Sequence, residues 1–223
     1  MNSPIQTIAF DVYGTLFDVQ SISSSCEVFF PGEGESVSRL WREKQIQYTF
    51  LRQIMGRYEP FSKVTMDALR YASAAHGRKL SSPEEQQLMQ AYQTLDLFPE
   101  SREILEHLKN EGKQLVVFSN GSDDMLLPLL RYAEIDQYLD LVLTVDEVMQ
   151  YKPSPASYTL ILDHTGRKRQ EIAFLSSNGW DISGAQAFGF HTAWINRSGQ
   201  PQEELDVPPE VTYDSLHPLK EWA

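Results

Sequence analysis

Residues 5–19 read IQTIAFDVYGTLFDV, and the opening half of that stretch decides the fold. The apolar run over residues 5–10 halts at Asp11 and passes into a Gly-containing turn, which predicts a buried strand delivering a carboxylate at its C-terminal end. Runs of the same kind recur as LVVFS (115–119), LVLT (141–144), IAFLS (172–176) and TAWI (192–195), with helical patterns between most of them. Strands alternating with helices predict an α/β fold, a Rossmann-like doubly wound parallel sheet covered on both faces. Such sheets bind ligands outside the carboxyl ends of their strands. That edge is where the runs lead into Asp11, Ser119-Asn120 and Ser176-Ser177-Asn178, with Lys152 on the loop after LVLT. These groups are expected to converge.

Between the first strand and the helix near residue 100 lies a long stretch with no strand pattern. Val37, Leu40, Trp41, Tyr48, Leu51 and Met55 recur at helical spacing, and Val64, Ala68, Leu69, Ala72 and Ala75 mark a second helix stopped at Gly77. Ser82-Pro83-Glu84-Glu85 reads as an N-cap, a proline at the first helical position and a capping-box glutamate for a third helix through Leu88, Met89 and Tyr92. The expected organisation is a core domain over 1–16 and 98–223 and an inserted helical-bundle cap over 17–97. After the insertion, residues 99–110 read as a helix ended by Gly112, and a final VTY strand follows a Pro- and Glu-rich loop.

The chain has 223 residues, 41% hydrophobic and 22% charged, as expected of a folded globular protein. A net charge of -12 argues against a nucleic-acid partner, which would need clustered Lys and Arg. A single cysteine, Cys26, cannot form an internal disulfide, and the N-terminus has no signal-peptide pattern. Together these point to a reducing, cytoplasmic setting. No apolar run approaches the roughly 20 residues of a membrane span, so no membrane partner is expected.

FDVYGTLFDV (10–19) resembles the first motif of the haloacid dehalogenase superfamily, whose phosphatases carry Asp-x-Asp-x-Thr after a buried strand. Here the second acid is Tyr13, and in those phosphatases that acid protonates the leaving group. The remaining motifs follow in order: Ser119 in VVFSNG, Lys152 in YKPSP, and SSNGWD (176–181) in place of the acidic metal-binding motif. With Asp181 as its one acid, this last segment is a poor match to the carboxylate-rich oxygen shell that Mg²⁺ prefers, so neither a metal nor another cofactor is expected.

These substitutions resemble the L-2-haloacid dehalogenase branch, as do LWREKQIQYTFLRQIMGRYEPF (40–61) and WDISGAQAFGF (180–190). The similarity runs over about residues 5–197. Glu43 departs from the uncharged polar residue expected there. A charge beside an anionic substrate is unfavourable unless neutralised, so Glu43 is expected on the helix's solvent face.

The resemblance implies hydrolysis of short L-2-haloalkanoic acids to D-2-hydroxyalkanoic acids and halide through an ester on Asp11. Lys152 favours the charged form of that nucleophile. Arg42 and Asn120 take the halide, with Ile46, Phe61 and Trp180 as apolar contacts. Ser119 and the backbone around Val12 and Tyr13 hold the substrate carboxylate. Asp181, oriented by Lys152, Ser176 and Asn178, activates water, and Thr15 and Tyr158 support this shell through hydrogen bonds. A homodimer joined through cap helices is also implied.

Taken singly, these residues have plainer explanations: an Asp before a Gly turn usually caps a loop, and a helix arginine is usually solvated. The ordered set carries the inference. Cys26 has no visible activating partner, and His76, His107, His164, His191 and His217 have no metal-ligand spacing. The competing functions are a small-molecule phosphatase of the same superfamily, opposed by Tyr13, and a non-catalytic scaffold, opposed by the intact polar set.

Overall fold

The computed structural model describes residues 5–222. Strand β1 (Thr7–Phe10) is followed by β2 (Phe17–Asp18), then by helices α1 (Ser23–Phe29), α2 (Gly34–Ile54), α3 (Phe61–Ala75) and α4 (Ser82–Ala91). After β3 (Asp96–Leu97) come α5 (Ser101–Asn110), β4 (Gln114–Ser119), α6 (Asp123–Tyr132), β5 (Leu141–Thr144) and α7 (Pro155–Thr165). The chain continues through β6 (Ile172–Ser176), α8 (Gly179–Phe188), β7 (His191–Ile195) and β8 (Val211–Tyr213). No helix among the described residues is long and apolar enough to cross a membrane.

The chain forms two compact units. The first gathers residues 5–17, Leu97–Asn120 and 134–222; the second gathers Asp18–Asp96 and Gly121–Ala133. In the first, six parallel strands run in the order β5-β4-β1-β6-β7-β8. Ile8, Ala9 and Phe10 are fully buried, as a central parallel strand covered on both faces requires. Because β1 pairs with both β4 and β6, the residues that leave these three strands emerge side by side. That adjacency builds the site.

In the second unit α2 buries Val37, Trp41, Gln45 and Thr49, one residue per turn, toward its neighbours. Trp41 packs edge-on against Tyr92 at 4.9 Å and donates its indole N–H to the Thr65 carbonyl at 2.8 Å. Two features differ from expectation. The N-cap of α4 is Ser81, not Ser82, and Glu84 closes the capping box by accepting from the Ser81 N–H at 2.7 Å. Glu85 instead accepts from Arg70 Nε and Nη2, both at 2.8 Å. Helix α1 and the preceding Val19–Ile22 turn had no clear periodic signal.

The helix α6 segment, placed by sequence with the sheet, gathers with the helical unit. Ser122 Oγ accepts from the Ser62 N–H at 3.1 Å, and the Asp124 carbonyl accepts from Gln93 Nε2 at 3.1 Å. Of the boundaries expected from sequence, residues 1–4 and 223 lie outside the described residues.

Candidate active site

Asp11 follows β1 directly and extends its ladder, its N–H donating to the Leu175 carbonyl at 2.8 Å. The chain then turns sharply, so that the Val12 carbonyl accepts from the amides of Thr15, Leu16 and Phe17. Gly14 makes the turn possible. Its φ of +95° favours glycine, and a Cβ there would lie 2.6 Å from Ser177 Oγ. The turn brings Thr15 back beneath Asp11, and Thr15 Oγ1 donates to Asp11 Oδ2 at 3.1 Å.

The two oxygens of Asp11 are treated differently. Oδ2 accepts from Thr15 Oγ1, from Asn178 Nδ2 at 3.0 Å and from Ser176 Oγ at 3.3 Å. Oδ1 accepts from Lys152 Nζ at 2.9 Å. The same ammonium reaches Asp181 Oδ2 at 2.6 Å and the Phe118 carbonyl at 3.3 Å, and lies 5.2 Å from the ring centroids of both Phe118 and Phe174. One cation thus bridges two carboxylates. Lys152 is held in turn by its own N–H, which donates to Asn120 Oδ1 at 2.9 Å.

Asp181, fully buried in the first turn of α8, receives Tyr158 Oη on Oδ1 at 2.7 Å. Gly184 permits this approach, since a Cβ there would lie 2.6 Å from that hydroxyl. Burial pushes the Asp181 carboxyl above the ordinary range and Asp11 adds to the rise, while the Lys152 ammonium opposes it. For Lys152, burial acts downward but the two carboxylates outweigh it, and the ammonium is held above the ordinary lysine range. Burial, followed by the Asp181 charge, pushes the Tyr158 phenol well up, so it acts as a donor.

Phosphatases of the resembled superfamily hold a metal ion beside this carboxylate. The residues here do not fit one. The Lys152 ammonium stands between Asp11 and Asp181, the fourth motif supplies Ser177 and Asn178, and no group of three or more His, Cys, Asp or Glu side chains gathers among the described residues.

Asp11, Thr15, Lys152, Tyr158, Ser176, Asn178 and Asp181 therefore form one connected network. Val12, Tyr13 and Ser119 are buried close by in sequence to its members, and Asn120 keeps a buried Nδ2 with no hydrogen-bond partner. Trp180 lines a cleft of about 450 Å³ with Pro153, Gly184, Leu205 and Val207, a cleft that Asp11 does not line. Arg42, Ile46 and Phe61 belong to the second unit. There Arg42 Nη1 donates to Gln45 Oε1 at 2.6 Å, Phe61 is buried at the start of α3, and Glu43 is exposed.

Sequence reasoning missed Gln45, whose spacing of three from Arg42 on a helix was the available signal. It also missed the Ser177 amide, which donates to Thr15 Oγ1 at 2.8 Å; a backbone donor leaves no trace in residue type. Cys26 is buried, and burial pushes its thiol up to about 12.

A family model described as haloacid dehalogenase-like hydrolase matches residues 5–189. The (S)-2-haloacid dehalogenase of Pseudomonas sp. (strain YL) is 42% identical over 217 residues, covering 97% of this chain and 94% of that protein. A crystal structure of an L-2-haloacid dehalogenase superposes with a TM-score of 0.95 at 43% identity, covering 99% of each chain. The L-2-haloacid dehalogenase from Xanthobacter autotrophicus, with chloropropionic acid covalently bound, gives a TM-score of 0.94 at 33% identity over 97% of each chain.

Proposed function

The chain belongs to the haloacid dehalogenase-like hydrolase family, and from that premise we propose that it hydrolyses short L-2-haloalkanoic acids to D-2-hydroxyalkanoic acids and halide, without a metal, through an ester on Asp11. The observation that carries this reading is the unequal treatment of the Asp11 oxygens. Oδ1, bonded to Lys152, is the attacking atom; Oδ2, with three donors, is poised to become the ester carbonyl.

In the first step Oδ1 forms a bond to C2 of the substrate as the carbon-halogen bond breaks and the halide leaves with the bonding pair, inverting the carbon. Arg42 and Asn120 receive the halide. Ser119 and the backbone near Val12 and Tyr13 hold the substrate carboxylate, with Ile46, Phe61 and Trp180 as its apolar surroundings.

In the second step water adds to Cγ of Asp11 and gives a proton to Asp181. Charge builds on Oδ2, where Thr15, Ser176 and Asn178 stabilise it. The bond from Cγ to the alkyl oxygen then breaks and Asp181 returns its proton to the departing hydroxyacid. Asp11 keeps the oxygen of water and loses the remaining proton to solvent. A phosphatase is not favoured, because position 13 offers tyrosine where its general acid would stand.

Exposed Leu51, Ile54, Met55 and Tyr71 on the second unit support a homodimer through these helices, and the lone buried cysteine suits a cytoplasmic setting. Isotope placement tests the chemistry. A single turnover in heavy-oxygen water, with enzyme in excess, is expected to leave label on Asp11, detected in the peptide spanning residues 10–16. Label appearing directly in the hydroxyacid would make Asp11 a general base and overturn the ester route.

A further inference from the structure

Thr15 is held from its carbonyl as well as its hydroxyl. Arg197, just beyond β7, donates from Nη2 to the Thr15 carbonyl at 3.0 Å. Its Nη1 donates to Glu100 Oε1 at 2.5 Å, an oxygen that also accepts the Leu216 N–H at 3.3 Å. The guanidinium lies 3.7 Å from the centroid of the Phe98 ring. The adjacent Leu16 carbonyl is tied to the same segment, accepting from the Phe98 N–H at 2.9 Å and Ser101 Oγ at 3.0 Å.

This is a built cluster. Glu100 is 7% exposed and the Arg197 side chain 17%. Burial pushes the Glu100 carboxyl up, yet its backbone hydrogen bonds and Arg197 more than offset that, so it stays ionised as the partner Arg197 requires. A planar guanidinium stacks on a ring while its two arms serve a carboxylate and a carbonyl; a lysine ammonium cannot make all three contacts. The Thr15 peptide is thereby clamped on one side by Arg197, while its hydroxyl is fixed by the Ser177 amide and aimed at Asp11 Oδ2.

We propose that Arg197 is a positioning residue for hydrolysis of the Asp11 ester, acting through the Thr15 carbonyl to keep the Thr15 hydroxyl on Oδ2. This rests on the ester route given above. During nucleophilic attack Oδ2 loses charge as it becomes the ester carbonyl oxygen, whereas in hydrolysis it becomes the oxyanion. Loss of the clamp therefore slows the second step and spares the first.

The test is single-turnover kinetics with 2-chloropropionate and excess enzyme. Halide release reads ester formation, and quenched mass analysis of the peptide covering residues 10–16 reads ester decay. In Arg197→Met, halide release should stay near the wild-type rate while ester decay slows roughly 10- to 100-fold, the scale of a displaced catalytic group. Arg197→Lys should recover part of the loss. Thr15→Val should slow decay by about 100-fold, the scale of a lost oxyanion donor, and adding Arg197→Met to it should change nothing further.

Unchanged ester decay in Arg197→Met, or full additivity with Thr15→Val, overturns the proposal even if the melting temperature falls. Should Arg197→Met not fold, Arg197→Lys decides by the same readout: slowed decay supports the clamp and wild-type decay overturns it. A wild-type enzyme that releases halide with no ester on Asp11 overturns the ester route itself and the clamp with it, a result visible before any variant is made.

Discussion

Replacing Lys152 by Met removes the ammonium that bridges two buried carboxylates, at 2.9 Å from Asp11 and 2.6 Å from Asp181. At an effective dielectric constant of ~20, each contact is worth about 6 kcal/mol of Coulomb attraction. Much of that is offset in the wild type by several kcal/mol for desolvating each ion, and the net cost of deleting one partner of a buried pair is about 3–5 kcal/mol. The variant should be destabilised by that amount near pH 8. Met fills most of the volume, so packing adds little.

The pH dependence carries the sign. Without the cation, the buried carboxylate pair holds a proton to higher pH than the unfolded chain does. The native state then binds more protons, and stability rises as pH falls by up to about 1.4 kcal/mol per unit for one extra proton. In the wild type the raised Lys152 titration keeps its ammonium charged throughout pH 5–8 and opposes protonation of the carboxylates, so the slope there is shallower than in the variant. Urea unfolding of both proteins across that range measures the difference. Halide release should fall to background in the variant. A variant as stable as wild type at pH 8, or one with the wild-type pH slope, would refute the electrostatic account of this site.

Exhaustive chelation should leave 2-haloacid turnover unchanged, since Lys152 takes the space between the carboxylates; strong Mg²⁺ dependence in a halide assay would contradict this. Burial raises Asp181, and as the proposed base it must be ionised; the acid limb of ester hydrolysis should therefore lie above the ordinary Asp range near ~3.9, and Asp181→Asn should accumulate ester. A limb at the ordinary value would exclude Asp181 as the base. Exposed Glu43 should be a neutral site, so Glu43→Gln should leave KM for chloropropionate unchanged and stability within about 0.5 kcal/mol. A markedly lower KM would put its charge in the substrate's surroundings.

The sequence by itself determined the elements. Apolar runs such as LVVFS and IAFLS, buried without break, and the one-per-turn spacing of Val37 and Trp41 encode strand and helix locally, through the periods at which side chains meet a core. It also determined which polar residues leave the ends of β1, β4 and β6, because those three motifs are contiguous with their strands. Tertiary structure decided what sequence period cannot express. Lys152 meets Asp11 across 141 residues because β4 lies between β5 and β1 and the loop after β5 is tied to Asn120 at the end of β4. Ser81 rather than Ser82 caps α4, while Glu85 pairs with Arg70 of another helix. The unequal loading of Oδ1 and Oδ2, the α6 segment's place in the helical unit and the Arg197 clamp on Thr15 arise the same way. Each depends on which distant side chains pack together, and packing is a property of the folded whole, not of any local stretch of chain.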